Sequence, residues 1–303
     1  MFHIRLKGRL GNQLFIYAFS KKIAKKYHND VLIYDRKKEK DSTWHSHLDG
    51  YDLDKHIKFT SNKKEIMSMP IKSKILFICN RLIVAKLNNR QRNNFEKKWM
   101  KLFIKNGLFL LNDGYYPLPN SLSRNTFFDG YFQSPRFFDD IRDELITDLT
   151  PRKPLSKDEK KFLQDIQNNE AVCVTIRLGD YLNNSTHQVC TRKFFEDAMD
   201  KIKKLHPNCK FYIFSDEIER AKKIFNFKYP VVYDSGKMED IISLYVMSNC
   251  KHFIISNSSF SWWAQYLCKF KNKTVIAPDR WYAVDVPCDI YEKNWILLNI
   301  DHE

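Results

Sequence analysis

The residues best suited to chemistry in this chain lie where short apolar runs break into polar groups. One such run is Val172-Cys173-Val174-Thr175-Ile176-Arg177-Leu178-Gly179-Asp180-Tyr181. It opens as a β-branched apolar segment, which reads as a buried strand, and it breaks at Gly179 with Arg177 and Asp180 beside the break. The C-terminal end of a buried parallel strand is where open α/β sheets bind ligands. A second run, Lys210 to Phe214, ends in Ser215-Asp216. A third, Lys251 to Ser256, ends in Asn257-Ser258-Ser259-Phe260-Ser261-Trp262-Trp263, which opens a helix. Strands of one parallel sheet put such ends on one edge. Hydroxyls at a helix start beside an arginine make a cradle for a phosphate or pyrophosphate. The plainer reading of Arg177 and Asp180 is a strand-end ion pair worth little energy; the two companion stretches weigh against it.

A fourth polar break lies near the N-terminus. Residues 2–7 alternate as a strand, Gly8-Arg9-Leu10-Gly11-Asn12-Gln13 follows, and then an apolar helical pattern with Lys21, Lys22, Lys25 and Lys26 toward water. This is a strand, a glycine turn and a helix, with Gly11, Asn12 and Gln13 forming a polar lip that suits a ligand. It lacks the G-x-G-x-x-G spacing of dinucleotide sites. Phe127 to Phe138 is an aromatic-rich loop whose rings suit sugar faces or a core, and it places Phe132 and Gln133 as acceptor candidates. Asp52-Leu53-Asp54 has the D-x-D form that holds a divalent metal in some sugar-nucleotide transferases; alternation between exposed acids is the better reading here. His252 falls mid-strand and reads as a core histidine.

These motifs need positioning elements, and the pattern supplies them. Strand and helix signals alternate through both halves, the mark of doubly wound parallel sheets. Thr150-Pro151-Arg152-Lys153-Pro154-Leu155-Ser156 marks a boundary that divides a 1–153 domain from a 154–303 domain. The stretch 36–62 reads as polar and irregular. Lys63 to Met100 reads as basic, amphipathic helix that packs on the core by its Ile/Leu face, with a membrane-surface role as the minority option. Ile75 to Ala85 is interrupted by Asn80 and Arg81 and is too short to span a bilayer. The start, Phe2-His3-Ile4-Arg5-Leu6, lacks the apolar core of a signal peptide.

Composition narrows the class. Hydrophobic residues make up 43% and charged residues 29%, which indicates a globular chain. The net charge of +15 favours an acidic partner: nucleic acid, an anionic membrane surface or a phosphorylated ligand. No basic-aromatic motif supports the nucleic-acid option. Seven cysteines without a C-x-x-C pair fit neither a disulfide framework nor a zinc site, and point to a reducing compartment. Cytoplasmic location, with peripheral contact at an inner membrane face, is the expectation.

Taken together, Gly8-Arg9-Leu10-Gly11-Asn12-Gln13-Leu14-Phe15, Gly130-Tyr131-Phe132-Gln133 with Pro135-Arg136-Phe137-Phe138, Arg177-x-Gly179-Asp180-Tyr181, Phe214-Ser215-Asp216 and Asn257 to Trp263 resemble the α-1,2-fucosyltransferase family, glycosyltransferase family 11. The resemblance runs along nearly the whole chain. It implies a GT-B fold of two facing Rossmann-like parallel-sheet domains, the first acceptor-side and the second donor-binding. It implies inverting transfer of fucose from GDP-fucose to a galactose 2-hydroxyl in an oligosaccharide or lipid-linked glycan, with no metal or other cofactor. Arg177 would hold the donor pyrophosphate, and Ser258 and Ser259 would donate to it. Ser215, Asp216, Asn257 and Phe260 would line the donor, with Gly11, Asn12 and Gln13 joining from the other half. Asp180 is the candidate base. Where the family usually reads His-x-Arg-Arg-x-Asp, this chain has Thr175-Ile176-Arg177-Leu178-Gly179-Asp180. Ser243 and Arg220 stand where the family commonly has Asp and Trp. Two alternatives remain: a transferase using another nucleotide sugar, and an inactive carbohydrate-binding relative.

Overall fold

The computed structural model describes residues 1–35, 47–66, 69–179, 186 and 189–300. The chain divides into two compact units, Met1–Thr150 with Asp285–Tyr291, and Pro151–Val284 with Glu292–Glu303.

In the first unit the elements run β1 (Phe2–Arg5), α1 (Leu10–Tyr27), β2 (Val31–Tyr34), β3 (Ile57–Thr60), α2 (Lys63–Ile66), α3 (Ile71–Val84), α4 (Asn89–Lys105), β4 (Leu108–Leu111), β5 (Phe127–Gly130) and α5 (Arg142–Asp148). The strands form a parallel sheet in the order β3-β2-β1-β5-β4. Because β1 pairs with β5, the segments following these two strands emerge side by side. α1 is buried from Leu10 to Ala24 apart from Asn12 and Lys22, which explains its apolar residues on every side. Phe19 of this helix is the hub of the core. It stacks on Phe132 at 3.8 Å and meets Phe128 and Phe137 edge-on. Truncating so central a ring costs about 3–5 kcal/mol.

Several expectations are corrected here. Lys21 does not face water: it is buried and its ammonium lies 2.6 Å from Asp148 and 3.6 Å from Asp54. The Asp52–Asp54 triple is therefore partly spoken for, since Asp54 lies against Lys21 and its backbone N–H donates to Tyr17 Oη at 3.0 Å. The stretch expected to be irregular contains β3, a sheet-edge strand that buries only Ile57 fully and so shows no apolar run. The aromatic loop begins as strand β5. The basic stretch after Lys63 is three helices, the last opened by an Asn88–Gln91 capping box. Its Ile/Leu face is not the packed one: α3 buries Ser73, Phe77 and Asn80, and leaves Ile71, Ile75, Ile78 and Leu82 exposed. Residues 285–291 return to this unit, where Arg90 pairs with Asp285 at 2.7 Å and Tyr115 N–H donates to Asp289 at 2.7 Å.

The second unit contains α6 (Lys157–Asn168), β6 (Ala171–Ile176), α7 (Arg192–Leu205), β7 (Lys210–Ser215), α8 (Ile218–Ile224), β8 (Val231–Tyr233), α9 (Asp240–Ser248), β9 (His252–Ile254), α10 (Ser259–Tyr266), β10 (Val275–Pro278) and β11 (Ile296–Leu298). These strands form a parallel sheet in the order β11-β10-β9-β6-β7-β8. β6 is central and wholly buried, as its unbroken apolar run requires. Val172, Val174 and Ile176 pack with Phe194, Phe195, Met199 and Ile202 of α7 in one core cluster. β11 lies beyond the last strand legible in the sequence.

Candidate active site

In the second unit β6, β7 and β9 are neighbours, so their C-terminal ends gather at one edge. Arg177 leaves β6 and its guanidinium lies 3.1 Å from the Asp216 carboxylate, which leaves β7. Asp216 also accepts from Leu178 N–H at 2.9 Å and Gly179 N–H at 3.0 Å. One carboxylate thus fixes both the turn after β6 and the arginine that precedes it. Gly179 is needed for this contact, because a Cβ there would sit 2.5 Å from Asp216 Oδ2. The two side chains are about one-fifth exposed, 20% and 21%, so the cation is held in place yet open to solvent on one side.

Beside them the loop after β9 is stitched to β6. Ser256 N–H donates to Thr175 Oγ1 at 3.0 Å, Ser256 and Ser261 hydroxyls are 3.2 Å apart, and Asn257 Nδ2 donates to the Trp281 carbonyl at 2.9 Å. Asn257 and Ser258 are buried, and Ser259 and Phe260 half-buried. Thr175 and Leu178 have structural work: Thr175 anchors Ser256, and Leu178 packs in the core cluster. α10 starts at Ser259 with no side-chain cap from Ser258 and no acid in its first turn. The helix dipole there is offset by no carboxylate of that turn, which favours an incoming anion. α6, by contrast, carries a Ser156–Glu159 capping box.

Asp234 was missed by sequence reasoning. Burial raises its carboxyl above the ordinary range, and the side chain accepts from Gly236 and Ser215 N–H groups, tying β8 to the end of β7. The only clue was an Asp-Ser-Gly turn after a strand. Ser215 Oγ accepts from Glu217 N–H at 3.1 Å, so this hydroxyl shapes the turn that presents Asp216. Ser243 is on α9 with its hydroxyl against Met247 Sδ, and Arg220 pairs with Glu217 at 3.6 Å. Asp180 lies outside the described residues.

In the first unit the lip and the β5 segment meet. Gln133 Nε2 donates to Asn12 Oδ1 at 2.7 Å. Gln13 donates to the Gly8 carbonyl at 2.9 Å and accepts from His47 N–H at 2.9 Å, so it is a staple that holds the lip closed. Gly8 has φ +69, and a Cβ there would lie 2.8 Å from Asn12 Cβ; both facts demand glycine. Gly11 is buried in the first turn of α1, whose N-cap, Arg9, makes no side-chain cap and is followed by no acid in the first turn. Phe132 is not presented as a platform. Its ring is buried against Phe19, and its backbone has φ 54, an uncommon conformation for a non-glycine residue.

One group among the described residues has metal-ligand composition: Glu170, His206 and His252. It lies at the opposite, N-terminal end of the second sheet. His252 Nδ1 accepts from Thr274 N–H at 3.0 Å, so the proton of its neutral ring is on Nε2, facing Glu170 at 3.5 Å. That tautomer blocks the nitrogen a metal would need. Burial and the neighbouring His206 lower the His252 pKa to about 4, so the ring is neutral near pH 7.

The two Rossmann-like α/β units define a GT-B class glycosyltransferase fold, which the chain shares with NodZ alpha-1,6-fucosyltransferase co-crystallized with GDP, at a TM-score of 0.50 and 11% identity, covering 92% of this chain and 94% of that one. Glycosyl transferase family 11 matches residues 1–299, and the chain belongs to that family. Among relatives it is 30% identical to Alpha-1,2-colitosyltransferase of Escherichia coli over 291 residues, covering 92% of this chain and 91% of that one. It is 31% identical to Galactoside 2-alpha-L-fucosyltransferase of Caenorhabditis elegans, over 54% of this chain and 49% of that one. No described helix is long and apolar enough to cross a membrane.

Proposed function

We propose that this protein moves a 6-deoxyhexose from a GDP-linked donor to the 2-hydroxyl of a galactose residue, with inversion and without a metal ion, L-fucose being the first donor to test. The observation that carries the reading is that two of its sequence relatives are named for transfer to position 2, one of them matching over 92% of this chain. The strand-end cluster of the second unit supplies fitting chemistry.

Inverting transfer breaks the bond from the sugar C1 to the β-phosphate oxygen as the acceptor oxygen bonds to C1 from the opposite face. The leaving GDP gains negative charge. Arg177, oriented by Asp216, and the amide groups at the start of α10 around Ser258 and Ser259 are assigned to that charge, where fixed donors act selectively in the transition state. Asn257 and Phe260 complete that wall. A cation and a helix start make a divalent metal dispensable for this task, and Asp54 of the D-x-D triple already lies against Lys21. In the first unit Asn12 and Gln133 are the polar groups assigned to substrate, with Gly11 and Gln13 shaping the lip. Asp180 remains the candidate acceptor-side base. The acceptor is a galactose-containing oligosaccharide or a lipid-linked glycan such as an O-antigen or capsule repeat.

The test incubates purified protein with GDP-fucose and galactose-terminated acceptors, with and without EDTA, and assigns the new linkage by NMR. An α-1,2-fucosyl product at equal rates in EDTA is the expected result. Transfer to another hydroxyl, retention of configuration, or loss of activity on chelation overturns the corresponding part. A second donor, GDP-colitose, is favoured by the name of the E. coli relative. Colitose is L-fucose without its 3-hydroxyl, so kcat/KM for the two donors separates them: a site that hydrogen-bonds that hydroxyl prefers fucose by about 10⁴ or more, whereas an apolar contact there leaves them within roughly 10².

A further inference from the structure

We propose that the outward face of α3 docks this protein onto an anionic lipid bilayer. At about 100° of turn per residue, Ile71, Ile75, Ile78 and Leu82 fall within an arc of roughly 60°. The residues α3 buries, Ser73, Phe77 and Asn80, lie on the opposite side. The inward side is firmly attached: Phe77 packs edge-on against Phe127 at 5.3 Å, and Ser73 Oγ donates to the Asn106 carbonyl at 2.7 Å. The apolar stripe therefore points away from the protein, with exposures of 76%, 57%, 54% and 64% in chain order. A continuous stripe of large aliphatic side chains left in water is a mark of an interaction surface.

Charge selects the occupant. Lys72, Lys74 and Arg81 flank the stripe, and the chain has no Asp or Glu between Glu65 and Glu96. A second copy laid on this face would oppose these cations with the same cations and offer them no carboxylate. An anionic bilayer accepts the aliphatic side chains into its interface and pairs its headgroups with the flanking lysines. The neighbouring α4 adds exposed Trp99 and Leu102, three residues apart on one side of the helix, beside Lys98 and Lys101. Tryptophan is at home at the headgroup level. The stripe runs about 16 Å along the helix, far too short to span, so α3 lies in the surface plane. The inference is independent of which sugar the protein transfers.

The test is flotation of the purified full chain with vesicles of phosphatidylcholine alone or mixed equally with phosphatidylglycerol. The expected result is binding to the anionic vesicles alone, weakened by raising salt to about 0.5 M. The double variant Ile75→Asp, Ile78→Asp lowers that binding by about tenfold or more, and Lys72→Glu, Lys74→Glu lowers it several-fold, both at unchanged melting temperature. The proposal is overturned if the anionic vesicles leave the protein unbound, if the Asp variant binds as well as the parent, or if the parent is a dimer without lipid that the Asp variant splits.

Discussion

Replacing Arg177 by alanine is the sharpest perturbation of the candidate site. The guanidinium lies 3.1 Å from Asp216, and both side chains are about one-fifth exposed, at 20% and 21%. Two unit charges about 4 Å apart interact by roughly 4 kcal/mol at an effective dielectric near 20. If about half a charge develops on the departing phosphate, the selective transition-state contribution is about 2 kcal/mol, and the lost hydrogen bonds raise it toward the 3–4 kcal/mol typical of removing one fixed donor. Turnover should therefore fall by roughly 10²- to 10³-fold. Stability should barely change, because a part-exposed pair is worth about 1 kcal/mol at most and Asp216 keeps its bonds to Leu178 and Gly179. Arg177→Lys should recover part of the loss, since one ammonium cannot serve Asp216 and a phosphate as a fork does. The assay is initial-rate GDP release with donor and galactoside acceptor, alongside calorimetric titration with GDP. Turnover of Arg177→Ala within threefold of the parent, with unaltered GDP affinity, would refute the reasoning.

Thr175→Val removes the acceptor for Ser256 N–H while keeping shape; the melt should report a loss of about 1–3 kcal/mol for the unsatisfied buried amide, and turnover should fall with it as the Ser256–Asn257 turn shifts. Burial lifts the Glu96 carboxyl from 4.5 to about 7. The folded state then binds more protons than the unfolded one between those values, so its contribution to stability is greatest below pH 4.5 and falls as pH rises through 7. Glu96→Gln, which can still accept from Asn112 N–H, should therefore melt higher at pH 8, by on the order of 1–3 kcal/mol, and show no gain at about pH 4. A gain that is largest in acid would contradict that sign.

The strand-end motifs were legible because each is local: an apolar run, a glycine or serine break, a helix start. Alternation of such runs also sufficed for two parallel sheets. What could not be read was anything made by pairing distant segments. Arg177 and Asp216 are in separate stretches, and the hold of Asp216 on both Arg177 and the 178–179 turn depends on β6 lying beside β7. Asp234 and Thr175 act through backbone groups of the turns and strand ends around them, which residue type alone does not reveal. β3 and β11 are edge strands that bury little of their surface, so neither has the continuous apolar run that marked β6. Lys21 has helical spacing that suggests solvent, and only the fold brings Asp148 to it. α3 shows the converse: its period was correctly helical, but an apolar stripe does not say whether it faces the core or the outside. Phe132 was a reasonable platform by type, and its left-handed backbone turned the ring inward onto Phe19.

The central claim is that the second unit holds a nucleoside diphosphate at the strand ends around Arg177. A crystal structure of the full chain with GDP measures this directly. The account predicts the β-phosphate within hydrogen-bond distance of the Arg177 guanidinium and of amide groups at the Ser258–Ser259 helix start. GDP bound elsewhere, with neither group touching phosphate, would contradict it.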